Sequence, residues 1–215
     1  MKEKIRSIVN SDRFIIFVGL IIVPITSFVL IALGDESPLY TSISRLAWVH
    51  GYWVATFLWA SVVMGSVAWL TYRMVFTGPF GARGKWVYFS MQLANIILVF
   101  IGCVIFPAKP GENATLFVHY VHDYLTIVAW AMYGIGLLVY SLILRKHDKF
   151  LGFLGVCLMS FVIFSSMFFI NQVIDPTTYV GASAVSEVYI INSLFMYLIT
   201  MYIAQRIRFS GDEVK

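Results

Sequence analysis

The chain has 215 residues, of which 60% are hydrophobic and 12% charged, with a formal net charge of +4. A soluble domain carries about 25% charged residues, so this composition excludes a water-soluble core and makes a bilayer the solvent for most of the chain. The length suits one helical bundle rather than two domains, and the positive charge does not point to nucleic acid, because the basic residues sit between long apolar runs.

A hydrocarbon layer about 30 Å thick is crossed by about 20 apolar residues in a helix. Six runs in the sequence meet that length. The first spans residues 14–33 and the second 46–72, with a possible extension to Phe76. The third spans 86–106 and is stopped by Pro107 and Pro110. The fourth, fifth and sixth span 116–144, 150–174 and 184–207, the fifth ending before Asp175-Pro176. These runs are too long and unbroken for the short alternating strands of a membrane barrel. The expected fold is an all-α bundle of six transmembrane helices.

The first run resembles a signal peptide only superficially. Its apolar stretch is too long and no small-x-small site precedes Gly34-Asp35-Glu36, so it reads as an uncleaved span. Orientation follows from the basic residues. With the N-terminus inside, Lys2, Lys4, Arg6, Arg13, Arg73, Arg83, Lys85, Arg145, Lys146, Lys149, Arg206, Arg208 and Lys215 are cytoplasmic, and only Arg45 and Lys109 are outside. Both termini are therefore expected in the cytoplasm of a multi-pass cell-membrane protein.

The inner segment 74–85 reads as a turn through Gly78-Pro79 and Gly81-Ala82-Arg83-Gly84. Its glycines lack the strand-to-helix context of a phosphate loop. Ser61 with Gly65, Gly134 with Gly136, and Gly152 with Gly155 are expected packing points where helices approach closely. Trp48, Trp53, Trp86, Tyr120 and Tyr124 suit an interfacial aromatic belt. Cys103 and Cys157, near opposite membrane faces, read as small core residues. Asn95 is expected to bond a neighbouring helix.

Ionisable groups inside membrane spans are costly, so each is a functional candidate. At about 1.5 Å per residue, His50 lies about 6 Å below the outer boundary, His119 and His122 about 5–9 Å, and Glu187, Asn171 and Gln172 about 5 Å. Asp123 adjoins His122. Four spans thus bring polar groups to one outer layer, and no comparable set is expected in the cytoplasmic half. His119 and His122 share a helix face, and with His50 they could hold a metal ion supported by Asp123 or Glu187. The alternative is metal-free acid–base work by His122, Asp123 and Glu187, and the bland alternative is structural hydrogen bonding or headgroup contact. In the loop before the second run, Ser42 and Ser44 could cap the helix, and Arg45 could bind a lipid phosphate or pair with Asp35 or Glu36.

Four features carry a family resemblance: the serine-containing outer loop Tyr40-Thr41-Ser42-Ile43-Ser44, the His122-Asp123 pair in the fourth run, Glu187 opening the last run, and the six-span, N-in arrangement. In these the chain resembles the domain of unknown function 998 family of six-helix membrane proteins. It is similar, more distantly, to the Frag/DRAM and GPI-anchor-remodelling group. The resemblance implies an outward-facing, lipid-related site. The expected ligand is outer-leaflet lipid, with Arg45, Ser42, Ser44 and Asn171 contacting the headgroup. An enzyme built here would be a lipid hydrolase or transferase. Haem ligated by His50 and His119 or His122 is a further reading, as is a non-catalytic subunit that partners another membrane protein.

Overall fold

A computed structural model of the chain describes residues 12–34, 43–48, 51–105, 116–174 and 184–209, and every regular element among them is helical. Helix α1 (12–32) changes pitch along its length, from an α-helical start at Asp12–Phe17 through a π-helical turn at Val18–Ile22 to Val23–Ala32. The wide turn directly precedes Pro24, whose ring would clash with the carbonyl four residues earlier in a regular helix. Then follow α2 (Ile43–Trp48), α3 (Trp53–Thr77), α4 (Ala82–Val104), α5 (Leu116–Leu144), α6 (Lys149–Ile174) and α7 (Ala184–Phe209). Five of these, α3 to α7, contain stretches long and apolar enough to cross a membrane, which makes the chain a multi-pass membrane protein.

The long helices close into a ring. Helix α3 packs on α4, α4 on α5, α5 on α6, α6 on α7, and α7 back on α3, while α1 lies outside against α3 and α7. Large apolar side chains point outward all round, among them Phe28 and Ile25 of α1, Leu58 of α3, Met91 of α4, Ile135 of α5 and Phe164 of α6. Such a surface is stable only against lipid. The ring has one end marked by Glu187 and another, basic end where α3, α5 and α7 finish beside the starts of α4 and α6.

Two boundaries differ from the sequence reading. The second run is not one helix from Leu46. It breaks between Trp48 and Trp53, where Gly51 has φ +77°, a left-handed conformation that costs glycine little. The Tyr52 N–H bonds back to the Leu46 carbonyl at 3.0 Å, closing the break. The segment 74–85 is not all turn either: α3 runs to Thr77 and α4 begins at Ala82. The Lys85 ammonium reaches back to the Phe76 carbonyl at 2.9 Å and satisfies one of the orphan acceptors at the end of α3.

The ring interior is crossed by hydroxyl groups. Tyr133 of α5 meets Thr71 of α3 at 2.6 Å. Tyr140 of α5 donates to Gln205 of α7 at 2.8 Å, with the Met74 carbonyl of α3 at 3.1 Å. Ser141 of α5 meets Tyr197 of α7 at 2.8 Å, and the Tyr197 hydroxyl also donates to the Leu137 carbonyl at 3.2 Å. Tyr133, Leu137, Tyr140, Ser141 and Leu144 are all buried, and their spacing of three and four residues forms a single stripe along α5. Thus α5 is bonded to α3 and α7, helices that are not its neighbours round the ring. The Gln92 amide of α4 adds a bond to Tyr88 at 2.8 Å. Asn95 turns to Gln92 of its own helix at 3.5 Å, not to a neighbouring helix as its mid-span position suggests.

The glycines divide into two groups. A Cβ on Gly152 would collide with the Arg145 backbone, one on Gly155 with Ser141, and one on Gly136 with the Gln92 amide, so these three allow real close approaches. Gly65 has nothing within 4 Å and Gly134 meets only an ordinary contact. At the basic end, Asp148 accepts from the Leu151 N–H at 2.9 Å and so caps α6, and it pairs with Arg208 of α7 at 3.3 Å.

Candidate functional site

The layer at the Glu187 end is organised by α2. Ile43, Leu46 and Ala47 are buried, and the first two join Leu30 and Ile31 of α1 and Val188 of α7 in a small apolar cluster separate from the main core. A six-residue helix is not stable by itself, so this packing and a polar contact at its first residue help to hold it. The contact comes from Glu187, whose Oε2 accepts the Ile43 N–H at 2.8 Å. The two residues are 144 positions apart in sequence, and this bond ties the start of α2 to the first turn of the last helix. An acidic side chain from another element here does the work usually done by a serine or aspartate just ahead of a helix.

His122 is buried in α5 at 6% exposure and has interaction partners in the fold. Thr126 lies one turn further along the same face. It packs so closely on α4 that a Cβ at Gly102 would collide with its hydroxyl, and its Oγ1 is 3.9 Å from the Cys103 Sγ. Glu187, in the first turn of α7, lies at the same end of the ring. His122, Thr126, Cys103 and Glu187 are thus carried toward one end by α4, α5 and α7. Trp53 closes the rim, its indole N–H reaching the Val104 carbonyl at 3.4 Å. The same end of the ring holds two buried acceptors, Thr56 Oγ1 and Asn192 Oδ1, without partners among the described residues. Buried polar atoms of this kind are normally met by water or ligand.

The remaining candidates divide by location. Ser44 and Arg45 lie on α2, directly after the residue that Glu187 holds, and His119 and Asp123 lie on α5 and Asn171 and Gln172 on α6; their side chains are outside the described residues. Ser42 and His50 also lie outside them. Of the three histidines considered as metal ligands, only His122 has a described side chain. Among the described residues no three His, Cys, Asp or Glu side chains gather as a metal-binding group.

Sequence reasoning missed two things. Thr126 and Cys103 escaped because neither is charged. The tyrosines escaped because they were not counted as polar, yet Tyr133 and Tyr140 are seven residues apart in one span, two turns on one face. That spacing was a readable signal. It also corrects the expectation that the half of the bundle away from Glu187 holds no comparable polar set: Thr71, Tyr133, Tyr140, Ser141, Tyr197 and Gln205 are all buried there. The chain matches no protein-family model, no curated protein and no solved structure.

The Glu187 bond makes a direct prediction. Glu187→Gln keeps an acceptor for the Ile43 N–H and should leave α2 in place. Glu187→Ala should cost roughly 1 kcal/mol, the usual effect of losing a helix cap, and should speed hydrogen exchange of the Ile43 amide about fivefold. Equal exchange in the two variants would show that the apolar cluster alone holds α2.

Proposed function

We propose that the protein is a six-span protein of the cell membrane, with both termini in the cytoplasm, that binds the headgroup of an outer-leaflet lipid in the layer around His122 and Glu187. Helix α1 is the sixth span in this reading. Its 12–32 stretch reaches about 30 Å at 1.5 Å per residue, and its exposed Phe14, Phe17, Ile21, Ile25 and Phe28 suit contact with acyl chains. The orientation rests on the thirteen basic residues that fall at the basic end or on the tails, against Arg45 and Lys109 on the other side.

The observation that carries the lipid reading is the Ile43–Glu187 bond. It holds the backbone of Ser44 and Arg45 beside the polar layer of the ring, so the two separate parts of the sequence that suggested a headgroup site meet at one place. The chemistry is complementary to a zwitterionic headgroup. Arg45 supplies a cation for the phosphate, and a carboxylate that has accepted one N–H can still accept from an ammonium or hydroxyl group. His122, Thr56 and Asn192 add donors and acceptors just below. Membership of the domain of unknown function 998 group belongs to the same proposal and is supported by the same residues.

Two measurements test it. In a chain whose Cys103 and Cys157 are replaced by alanine, Tyr52→Cys should react with a membrane-impermeant maleimide in intact cells, and Gly81→Cys only after permeabilisation; the reverse pattern overturns the orientation. In purified, folded protein, His122→Ala and Glu187→Gln should each lower retention of phosphatidylethanolamine about tenfold, as expected for one lost hydrogen bond to a charged group. Retention equal to that of the unaltered chain in both variants overturns the lipid site.

A further inference from the structure

Two cavities meet at Tyr72, far from the Glu187 layer. One, of about 310 Å³, lies at the basic end between α3 and α7 and is lined by Tyr72, Arg73, Phe76, Thr77, Tyr202 and Arg206. The other, of about 370 Å³, runs along α3 against α4 and is lined by Gly65, Ala68, Trp69, Tyr72 and Phe89. The first is cationic and the second is apolar. Tyr72 lines both, so a single side chain borders the cationic pocket and the apolar one. From Tyr72 to Gly65 is two turns of helix, about 10 Å toward the middle of the bundle.

The cationic part is a built structure. Arg73 donates to the Tyr202 hydroxyl at 2.8 Å, and its guanidinium lies over the Tyr202 ring, 5.4 Å from the centroid. Tyr202 is buried at 3% exposure, so it fixes the position of Arg73. Arg206 is one turn beyond Tyr202 on the same face of α7 and is exposed. Thr77 is one turn beyond Arg73 and brings a hydroxyl to the same pocket. Tyr72, Phe76, Trp86 and Phe89 form a cluster of contacting rings at this level, with Tyr72 and Phe76 4.4 Å apart between centroids. This is the aromatic arrangement of a membrane interface. In the apolar part Gly65 is exposed and nothing lies within 4 Å of where its Cβ would be, which leaves open space on this face of α3 beside Trp69 and Phe89.

We propose that this surface is a binding site for an anionic phospholipid of the leaflet at the basic end. The lipid phosphate sits with Arg73, Arg206 and Thr77, and one acyl chain descends past Tyr72 into the groove at Gly65. Two guanidinium groups recognise a phosphate through paired N–H donors. A soluble anion would need only the upper pocket; the apolar groove continuing from it fits an anion attached to a hydrocarbon chain. The site does not depend on the Glu187 layer, from which it is separated by most of the length of α3.

The test uses the full chain purified in mild detergent, incorporated into an equimolar mixture of phosphatidylglycerol and phosphatidylcholine, re-extracted, and its retained lipid measured by mass spectrometry. The unaltered protein should retain phosphatidylglycerol in preference to phosphatidylcholine. Arg206→Gln should reduce that preference about fivefold, the contribution of one basic residue at an anionic surface, at an unchanged melting temperature, which separates loss of charge from loss of folding. Arg73→Gln should do the same while also loosening Tyr202. Gly65→Leu, whose Cβ would meet nothing within 4 Å, extends into the groove and should lower total retained lipid severalfold while the chain keeps its melting temperature. The proposal is overturned if the unaltered protein shows no preference, or if Arg206→Gln leaves the preference intact. It is also overturned if Gly65→Leu has no effect on lipid while inorganic phosphate displaces it fully, since the pocket would then serve a soluble anion.

Discussion

Hydrocarbon offers no hydrogen-bond partner, so each polar group carried into a membrane span must find its partner inside the protein. In this chain the constraint falls most heavily on α5, whose buried face carries Tyr133, Tyr140 and Ser141. Their hydroxyls reach across the ring to Thr71, Gln205 and Tyr197. A ring of five helices held only by apolar contact has no strong reason to fix its rotation about each axis, because lipid tails are as apolar as leucine. The crossing hydroxyl bonds supply that reason. They set which face of α5 looks inward, and toward the other end that same face carries the buried His122 and brings Thr126 against α4.

At the basic end the α3–α4 turn closes over the crossing hydroxyls: Phe80 stacks edge-on against Tyr140, and Gly78 sits so close that any side chain there would strike the Tyr140 hydroxyl. At the Glu187 end a carboxylate from α7 holds the first backbone N–H of a short helix. Among the described residues each half keeps buried polar atoms without a partner, Thr56 Oγ1 and Asn192 Oδ1 in one and Trp69 Nε1 and Gln205 Nε2 in the other. Polar groups with remaining capacity are what a ligand site requires. The basic end adds a site of another type on its outer flank, where Arg73 and Arg206 stand at the head of an apolar groove.

Much of the architecture was legible in the sequence because bilayer thickness imposes a length on every span. The runs 116–144 and 184–207 and the observed helices Leu116–Leu144 and Ala184–Phe209 agree closely. The second run misled because hydrophobicity continues through the break after Trp48, and what divides it is a conformation, the positive φ of Gly51, that no hydropathy pattern records. Glu187 was singled out as a group too costly to leave unpaired, but its partner was not foreseeable, since the first backbone N–H of a distant short helix has no sequence signature. Small residues were a poor guide to close packing for the opposite reason. Gly65 and Gly155 look alike in sequence, yet one faces an open groove and the other the Ser141 hydroxyl.

The central claim is that hydroxyl bonds across the ring fix the arrangement of its helices, and the Tyr140–Gln205 pair tests it most directly. A double-mutant cycle with Tyr140→Phe and Gln205→Leu, read as unfolding free energy in a bilayer-like medium, isolates their interaction from packing. A coupling of about 0.6 kcal/mol, the average for hydrogen bonds between membrane helices, and at most about 1.7 kcal/mol, is the expected result. Additive effects with no coupling would mean that the two helices are held by apolar packing alone, and would contradict it.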